Sequence, residues 1–390
     1  MKLILLTALA MGLSSPAMAE YEFEQYAFSN PERSFKTDAL LIQKDGKILF
    51  ERYANGFNAN KKHYLWSISK TISATLVGRA IQEGRMKLDD PVSKYVSAPR
   101  IFSRTPDKKN LTVRHLVKWS STFDYNESYE GGNLTESSVL QQLYAPRASK
   151  DMTGYILAHD FIKDPDTGKA YSPGDIYRYS TGDSTLVMSA LKGVYGDEYD
   201  RMPWTQLFDI LGMDRMSFQQ DTAGVFIGGA KAFATPRSLV KLGQLFLNDG
   251  VWEGRRLLPK TEELDWVKFS WQPNPTFLET PESIVKYSGW TPANSWWMNL
   301  DPRSARQAYK ATGDAMNGQP EFEGVPKNTY IAIGHWGQYM AIIPEKNLIV
   351  VRFGEDRFGD EEAGIDQDID LGKLLRGILK DLDQLQGGAQ

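Results

Sequence analysis

The sequence predicts an α/β (α+β) protein in which one antiparallel sheet, flanked by helices, is built from both chain ends, with a mainly helical lobe inserted between them. Short apolar segments bounded by turn residues occur near both termini, which is typical of strands. The middle of the chain repeats apolar residues at helical spacing. Strands at both ends indicate one sheet closed by the two termini. The sheet lobe is expected at about 20–85 plus 280–390, and the helical lobe at about 86–279.

The individual elements follow in chain order from turn residues and apolar spacing. An N-terminal hairpin is predicted from apolar residues at 39–42 and 48–50, with Asp45-Gly46 as its turn. Helical segments of the middle lobe are predicted around 116–117, 140–143, 186–191 and 239–246. Near the C-terminus, strands are predicted at 330–333, 340–343 and 348–353, with a turn at 344–347 and a closing amphipathic helix over 365–382.

The composition excludes several classes of function. The 390 residues include 45 Lys+Arg, 49 Asp+Glu, four histidines and no cysteine. Without cysteine there is no disulfide framework, Cys-ligated zinc site, iron–sulfur cluster or thiol nucleophile. The histidines, at 63, 115, 159 and 335, lack metal-ligand spacing, so no metal or cofactor is expected. A mildly acidic chain without a basic run is a poor candidate for binding nucleic acid.

The first nineteen residues have the pattern of a cleaved signal peptide. Met1-Lys2 is followed by an apolar stretch over 3–13, and Ala17-Met18-Ala19 forms an A-x-A cleavage site. The stretch is too short to span a bilayer, although an uncleaved anchor is the alternative. A periplasmic or secreted protein with no membrane span, comprising one domain over 20–390, is therefore expected. The oligomeric state stays open.

The candidate chemistry begins at Ser67-Ile68-Ser69-Lys70. Apolar residues at 68, 72, 76 and 80 mark one stripe of a helix that Gly84 could end. If the helix begins at Ser67, Lys70 lies one turn later on the same face. A lysine buried among apolar groups has a lowered pKa and could accept the serine proton, while the free N–H groups of the helix favour an oxyanion. The alternative is an ordinary helix start with Ser67 as the N-cap and an exposed Lys70.

Six segments, in order, carry a resemblance to a known family. They are WSISKT at 66–71, GRMKLDDPV at 84–92, LTVRHLV at 111–117, YRYST at 177–181, the region 228–247 and GHWGQ at 334–338. Over about 39–353 the chain resembles the serine β-lactamase/penicillin-binding-protein superfamily, particularly its class C-like branch of β-lactamase-related esterases and 6-aminohexanoate-dimer hydrolases. The resemblance implies the β-lactamase-like fold and a serine hydrolase that forms an acyl-enzyme.

The resemblance also implies residue roles. Ser67 would be the acylated nucleophile, and Lys70 and Tyr179 would share the general-base work, with neither role assigned uniquely. The oxyanion hole would be the backbone N–H groups of Ser67 and Gln338. The substrate, a small or peptide-like molecule, would meet Thr181 and the triad His335-Trp336-Gly337. Gly337 is expected to keep the strand edge clear for the substrate.

Two departures from the family pattern bear on the substrate. Thr181 stands where the family has Asn, and His335 stands where penicillin-recognising members carry Lys. A neutral imidazole pairs weakly with the carboxylate of a β-lactam or a D-Ala terminus. The departures favour an ester or amide hydrolase. The alternatives are a penicillin-binding or β-lactamase-type enzyme that acts on peptidoglycan peptides or β-lactams, and a catalytically reduced binding protein of the same fold.

Four tryptophans are candidates for an acyl pocket: Trp290, Trp296, Trp297 and Trp336. Because side chains alternate along a strand, at least one of Trp296 and Trp297 is expected in the core. Trp336, which lies within the triad, is the preferred pocket residue.

Overall fold

The computed structural model describes residues 21–29, 35–129, 135–286, 289–356 and 369–388. The predicted signal peptide (1–19) lies outside the described residues, as does the first part of the predicted closing helix. Helices are α1 Glu22–Phe28, α2 Ile68–Gln82, α3 Pro99–Arg104, α4 Val113–Val117, α5 Ser138–Tyr144, α6 Met152–Leu157, α7 Thr181–Tyr195, α8 Asp209–Leu211, α9 Pro236–Leu247, α10 Trp266–Ser270, α11 Pro275–Glu279, α12 Pro302–Thr312, α13 Leu371–Lys380 and α14 Leu382–Gly388. Strands are β1 Thr37–Lys44, β2 Lys47–Tyr53, β3 His63–Tyr64, β4 Met216–Phe218, β5 Ala232–Ala234, β6 Val251–Trp252, β7 Arg255–Arg256, β8 Thr291–Pro292, β9 Trp297–Met298, β10 Tyr330–Gly334, β11 Gln338–Ile343 and β12 Leu348–Gly354.

The central sheet joins the two ends of the chain. Its seven strands lie in the order β2-β1-β12-β11-β10-β9-β8, and every pairing is antiparallel. The strand β1 pairs with β12 in a register that places Leu41 opposite Val351. The predicted α/β architecture, with one antiparallel sheet closed by both termini, is confirmed.

Helices cover both faces of this sheet. Gln43 of β1 donates a hydrogen bond to Gln244 of α9 at 2.8 Å, so α9 lies on the face to which Gln43 points. The neighbouring Ile42 points to the other face. Phe50, which lies opposite Ile42 on β2, contacts Phe23 of α1 on that face, with ring centroids 5.1 Å apart. Because both faces are covered, β1 is apolar along 39–42 and fully buried there.

The helix α2 is buried along most of its length. Its residues from Ile68 to Ala80 are all buried, as expected for a helix that packs against other elements on every side. It contacts α7 on one side and β10 and β11 on the other. Gly84 follows its end with φ +70°, in agreement with the predicted stop. The start of α2 is therefore held where the sheet meets the helical part of the chain.

The segment 335–337 differs from its prediction. It was expected on a strand, but it forms the turn between β10 and β11. Trp336 and Gly337 have φ of +59° and +79°, a left-handed conformation that reverses the chain. A Cβ at Gly337 would lie 2.1 Å from Arg352 Nη1 and 2.1 Å from Asp356 Oδ2. The interior of the protein, not an open strand edge, surrounds this glycine.

Candidate active site

Ser67 and Lys70 are in direct contact at the start of α2. Ser67 precedes the helix with helical torsion angles, and its side chain makes no capping hydrogen bond. Its Oγ accepts a hydrogen bond from Lys70 Nζ at 2.8 Å. The side chain of Lys70 is only 1% exposed. The geometry therefore contradicts the alternative of an N-capping serine beside an exposed lysine.

Three oxygen atoms surround the Lys70 amine. Besides Ser67, Nζ donates to Thr181 Oγ1 at 2.7 Å and to the Gly229 carbonyl at 2.9 Å. Gly229 allows this approach because a Cβ there would lie 2.6 Å from the Thr181 carbonyl oxygen. Burial lowers the pKa of Lys70 from 10.5 to about 8, and the nearby Glu127 opposes this effect. A neutral amine could keep its two hydrogens on Thr181 and Gly229 and turn its lone pair to Ser67.

Glu127 is a charged member of the site that the sequence did not reveal. Its Oε1 lies 3.8 Å from Lys70 Nζ and accepts a hydrogen bond from Thr181 Oγ1 at 2.5 Å. Its Oε2 accepts from the Thr181 N–H at 2.8 Å. Thr181 is the first residue of α7, where the helix dipole favours an anion. The hydroxyl of Thr181 therefore connects Lys70 with Glu127.

Tyr179 lies close to both Ser67 and Lys70. Lys70 Nζ is 4.6 Å from the centroid of its ring, and the ring packs against Trp119 with centroids 4.8 Å apart. Burial raises the pKa of the Tyr179 phenol well above its usual range, and Glu127 raises it further, while a hydrogen bond with Ser67 opposes both. The phenol is therefore neutral at ordinary pH and can act as a hydrogen-bond donor.

A cavity of about 710 Å³ opens in front of Ser67. It is within the ordinary size range of sites for small molecules. Eight of its twenty lining residues are Tyr, Trp or Phe, and four are acidic or basic. The lining residues are Ser67, Tyr125, Asn126, Glu127, Ser128, Tyr129, Tyr177, Arg178, Tyr179, Ile284, Lys286, Trp290, Trp297, Phe322, Ile333, His335, Tyr339, Ile369, Asp370 and Leu371. Of the predicted site residues, Ser67, Tyr179 and His335 lie on this wall, and Lys70 and Thr181 lie directly behind Ser67.

His335 sits among three aromatic rings at the cavity that Ser67 also lines. Its imidazole stacks on Tyr129 with centroids 5.0 Å apart and an interplanar angle of 24°. Trp66 and Trp336 contact it at 5.3 and 4.8 Å. Trp66 precedes Ser67 and has φ +48°. Such a conformation in a bulky residue is strained and is found most often at functional sites.

The remaining predicted residues lie away from the cavity wall. Trp336, Gly337 and Gln338 are absent from its lining residues. The Gln338 side chain is buried and donates to the carbonyls of Trp336 and Gly354 at 2.9 and 2.6 Å. Trp336 contacts the lining residue His335 with ring centroids 4.8 Å apart, and its role as the pocket tryptophan stays a prediction. Trp297 lines the cavity, and its neighbour Trp296 is buried in the core, as strand alternation predicts.

The other histidines have structural surroundings. His63 Nε2 lies 3.0 Å from Asp38 Oδ2, and His115 belongs to the capping box of α4. His159 contacts the Tyr155 carbonyl at 3.0 Å. Among the described residues, no group of three or more His, Asp or Glu could hold a metal ion. The described helices also include none that is long and apolar enough to cross a membrane.

Comparison with known proteins identifies the family. A family model described as Beta-lactamase matches residues 18–372. The chain belongs to the Beta-lactamase family. The chain is similar in sequence to the 6-aminohexanoate-dimer hydrolase of Paenarthrobacter ureafaciens, with 26% identity over 225 residues. That alignment covers 57% of this chain and 55% of the hydrolase, so the matched segment spans about half of the relative.

Solved structures agree with the family's fold. A D-stereospecific amidohydrolase from Streptomyces sp. has a TM-score of 0.57 at 15% identity, with 87% of this chain and 95% of that chain covered. A penicillin binding protein from Bacillus halodurans has a TM-score of 0.56 at 14% identity, with 89% and 97% covered. At these identities the similarity concerns the fold alone. The predicted β-lactamase-like fold is confirmed.

Proposed function

We propose that this member of the Beta-lactamase family is a serine hydrolase that cleaves an ester or amide bond through an acyl-enzyme on Ser67. One observation carries the proposal. The Ser67 hydroxyl faces a cavity and is hydrogen-bonded to a buried lysine at 2.8 Å, whose pKa burial lowers to about 8. A serine needs such a base within hydrogen-bond reach to become a nucleophile.

Acylation would begin with transfer of the Ser67 proton to the neutral Lys70 amine. The Ser67 oxygen attacks the carbonyl carbon, and the resulting tetrahedral intermediate carries a negative oxygen. Collapse of the intermediate breaks the bond to the leaving group, which takes the proton back from the Lys70 ammonium. The Tyr179 hydroxyl, hydrogen-bonded to Ser67, is well placed to relay that proton. Lys70 is the better base of the two because burial lowers its pKa but raises that of Tyr179.

Deacylation would repeat these steps with water as the nucleophile. Lys70, neutral again, accepts a proton from the water, whose oxygen attacks the acyl carbon. Release of Ser67 returns that proton to the serine oxygen and leaves the free acid. The Lys70 amine is held for both steps by Thr181 and Gly229, so little reorganisation is needed between them.

The oxyanion would be stabilised by backbone N–H groups at the cavity edge. Ser67 supplies one from the start of α2. The second was predicted at Gln338, but His335 is the residue of the 335–337 turn that lines the cavity. The backbone of Gly334 also approaches the chain before Ser67, since a Cβ there would lie 2.2 Å from the Leu65 carbonyl oxygen. The second donor is therefore proposed on this turn or at its end, where the family resemblance implies the Gln338 N–H.

The substrate is proposed to be a small molecule with an ester or amide bond, and the place of action the periplasm or the exterior. The aromatic wall of the cavity supports an acyl group with substantial apolar surface. The similarity to a 6-aminohexanoate-dimer hydrolase supports amide cleavage as one form of the activity. A histidine at position 335, in place of the permanent cation of a lysine, still speaks against efficient turnover of β-lactams.

The proposal is tested with an active-site-directed fluorophosphonate and a chromogenic ester. Wild-type protein should be labelled on Ser67, as mapped by mass spectrometry, and should hydrolyse the ester. Ser67→Ala should lose both properties, whereas the control Ser172→Ala, at an exposed loop serine, should keep both. Absence of labelling and hydrolysis in folded wild-type protein would overturn the proposal and would favour a binding protein of the same fold.

A further inference from the structure

We propose that Trp119 is a positioning residue that holds the Tyr179 phenol in the orientation needed to pass a proton to the leaving group. The inference rests on the proposed function, because it concerns the proton relay of the same site. It predicts that Trp119 matters for substrates whose leaving group must be protonated, such as alkyl esters and amides. Substrates whose leaving group departs as a stable anion would not depend on it.

The first observation is that Trp119 packs directly against the ring of Tyr179. The two ring centroids are 4.8 Å apart with an interplanar angle of 70°, an edge-to-face arrangement that is favourable for aromatic pairs. Trp297 contacts both rings, at 5.5 Å from Tyr179 and 5.9 Å from Trp119. Trp119 is only 1% exposed, so it supports Tyr179 from the interior of the protein, whereas Trp297 lines the cavity.

The second observation is that the orientation of the Trp119 indole is itself fixed. Its Nε1–H donates to Ser184 Oγ at 3.3 Å. Ser184 lies on α7, the helix whose first residue, Thr181, binds the Lys70 amine. A ring tied by a hydrogen bond inside a packed core has little freedom to rotate, so the indole can hold Tyr179 in one place.

The third observation is that the backbone of Trp119 also contacts the segment of Tyr179. The Trp119 carbonyl accepts a hydrogen bond from the Arg178 N–H at 2.8 Å, directly before Tyr179. Farther along the same loop, Ser121 Oγ donates to Asp183 of α7 at 2.6 Å, which anchors the loop. The main chain and the side chain of Trp119 therefore both contact the short segment 178–179.

The fourth observation is a strained backbone at Trp119. Its φ is +52°, a left-handed conformation that is unusual for a bulky residue. Such conformations persist where the surrounding structure enforces them, and they cluster at functional sites. Trp66 and Trp336, the direct neighbours of Ser67 and His335 in the chain, share this conformation. The strain at Trp119 therefore fits a residue whose position serves the site as well as the core.

The consequence for catalysis depends on the leaving group. In the proposed acylation, the Tyr179 hydroxyl relays the proton from the Lys70 ammonium to the leaving group as the bond to the acyl carbon breaks. Ethoxide or an amide anion is too basic to leave without that proton, whereas p-nitrophenolate is stable near neutral pH. A displaced phenol would therefore slow the first kind of substrate and leave the second nearly unchanged.

The test compares two esters with the same acyl group, ethyl butyrate and p-nitrophenyl butyrate. Both give the same acyl-enzyme, so the ratio of their kcat/KM values reports the departure of the leaving group. Trp119→Leu should lower kcat/KM for ethyl butyrate about tenfold or more and that for p-nitrophenyl butyrate less than about threefold. Tyr179→Phe should shift the ratio further in the same direction. In the Tyr179→Phe background, Trp119→Leu should change the ratio less than about twofold, because it acts through Tyr179.

A second buried tryptophan, with other neighbours, separates positioning from core packing. Trp266 is fully buried and contacts Phe269 with ring centroids 5.5 Å apart. Trp266→Leu removes the same volume from the core and should keep the wild-type ratio, whatever its effect on Tm. An equal loss for both esters in Trp119→Leu would overturn the inference and assign Trp119 to the core alone. An undiminished effect of Trp119→Leu in the Tyr179→Phe background would overturn it as well.

Fluorophosphonate labelling separates this inference from the proposed function. The fluoride of the probe leaves without a proton, so Ser67 in folded Trp119→Leu should be labelled at a rate within about threefold of wild type. Where Trp119→Leu does not fold, Trp119→Phe keeps a ring, carries the test and should shift the ratio by about threefold or more. A wild-type ratio in the folded variant, with Ser67 labelled, would refute the positioning role alone. Absence of labelling in folded wild-type protein would refute the proposed function.

Discussion

Replacing Glu127 with glutamine removes a negative charge beside Lys70 and keeps the shape of the side chain. The amide retains one acceptor oxygen for the Thr181 N–H, which now binds Oε2 at 2.8 Å. Glu127 favours the protonated form of Lys70, and the proposed mechanism needs the neutral form. We therefore expect Glu127→Gln to lower the pKa of Lys70 and to extend activity to lower pH.

The distance between the charges sets the size of the effect. Glu127 Oε1 and Lys70 Nζ are 3.8 Å apart, with the side chains 12% and 1% exposed. Two unit charges at this distance attract by about 1 kcal/mol in water and by about 4 kcal/mol at an effective dielectric constant of 20. An intermediate value of about 2 kcal/mol corresponds to a pKa decrease of about 1.5. From a starting pKa of about 8, the neutral fraction at pH 7 would rise from about a tenth to about three quarters.

The assay is the pH dependence of kcat/KM for a chromogenic ester. For wild type, kcat/KM should rise with pH through about 8, because its acidic limb reports the base of the free enzyme. In Glu127→Gln this limb should move down by about 1.5 pH units. At pH 7 kcat/KM should rise about fivefold. This rise is smaller than the rise of the neutral fraction of Lys70, because a weaker base transfers the proton more slowly.

A matched control comes from the same loop. Asp124 is 67% exposed and lies 3.6 Å from Arg178, and Lys70 is not among the groups it is paired with. Asp124→Asn removes the same charge and should leave the acidic limb in place. If the limb of Glu127→Gln stays where it is or moves to higher pH, Lys70 is not the base that limits the reaction.

Three further predictions concern residues around this centre. His335→Lys should speed acylation by a chromogenic cephalosporin, because a permanent cation can pair with the β-lactam carboxylate; an unchanged acylation rate would refute the carboxylate argument. Thr181→Val should lower kcat about tenfold or more, because it removes the hydroxyl that connects Lys70 with Glu127. Thr181→Ser keeps a hydroxyl and should retain most of the wild-type kcat. Equal kcat values in the two variants would contradict the bridge. Gly337→Ala should lower the free energy of unfolding, measured with urea, by more than about 2 kcal/mol. A left-handed conformation alone costs an L-residue about 1–2 kcal/mol, and the new Cβ would also meet two charged groups. A free energy of unfolding equal to that of wild type would contradict the close contact.

Local patterns in the sequence predicted the strands and the proximity of Ser67 and Lys70. The hairpin strands follow from short runs of apolar residues on either side of turn residues, and β1 and β2 appear where expected. Ser67 and Lys70 are three residues apart on one helix, so helical geometry alone brings them together. Such relations need no knowledge of the tertiary structure.

Long-range relations at the site could not be read in this way. Glu127 lies in an irregular loop and reaches Thr181 across 54 residues, so no helical or strand period links the two. Thr181 stands where the family has Asn, and its hydroxyl has one donor where an amide has two. In the structure that donor goes to Glu127, and the oxygen still accepts from Lys70. The carboxylate orients the Thr181 hydroxyl toward Lys70 by accepting its hydrogen, and only the folded chain shows this contact.

The role of Gly337 connects the stability of the fold with the cavity. Arg352 and Asp356 form a fully buried pair at 2.6 Å, and Arg352 also donates to the Gly337 carbonyl at 2.8 Å. On its other side, Asp356 Oδ2 accepts from the Ile369 N–H at 3.1 Å. Gly337 belongs to the turn that carries His335, and both His335 and Ile369 line the cavity. A buried charge that loses its partner costs several kcal/mol, so the Arg352–Asp356 pair is strongly maintained. Through its hydrogen bonds to Gly337 and Ile369, the pair holds the two cavity segments in one arrangement.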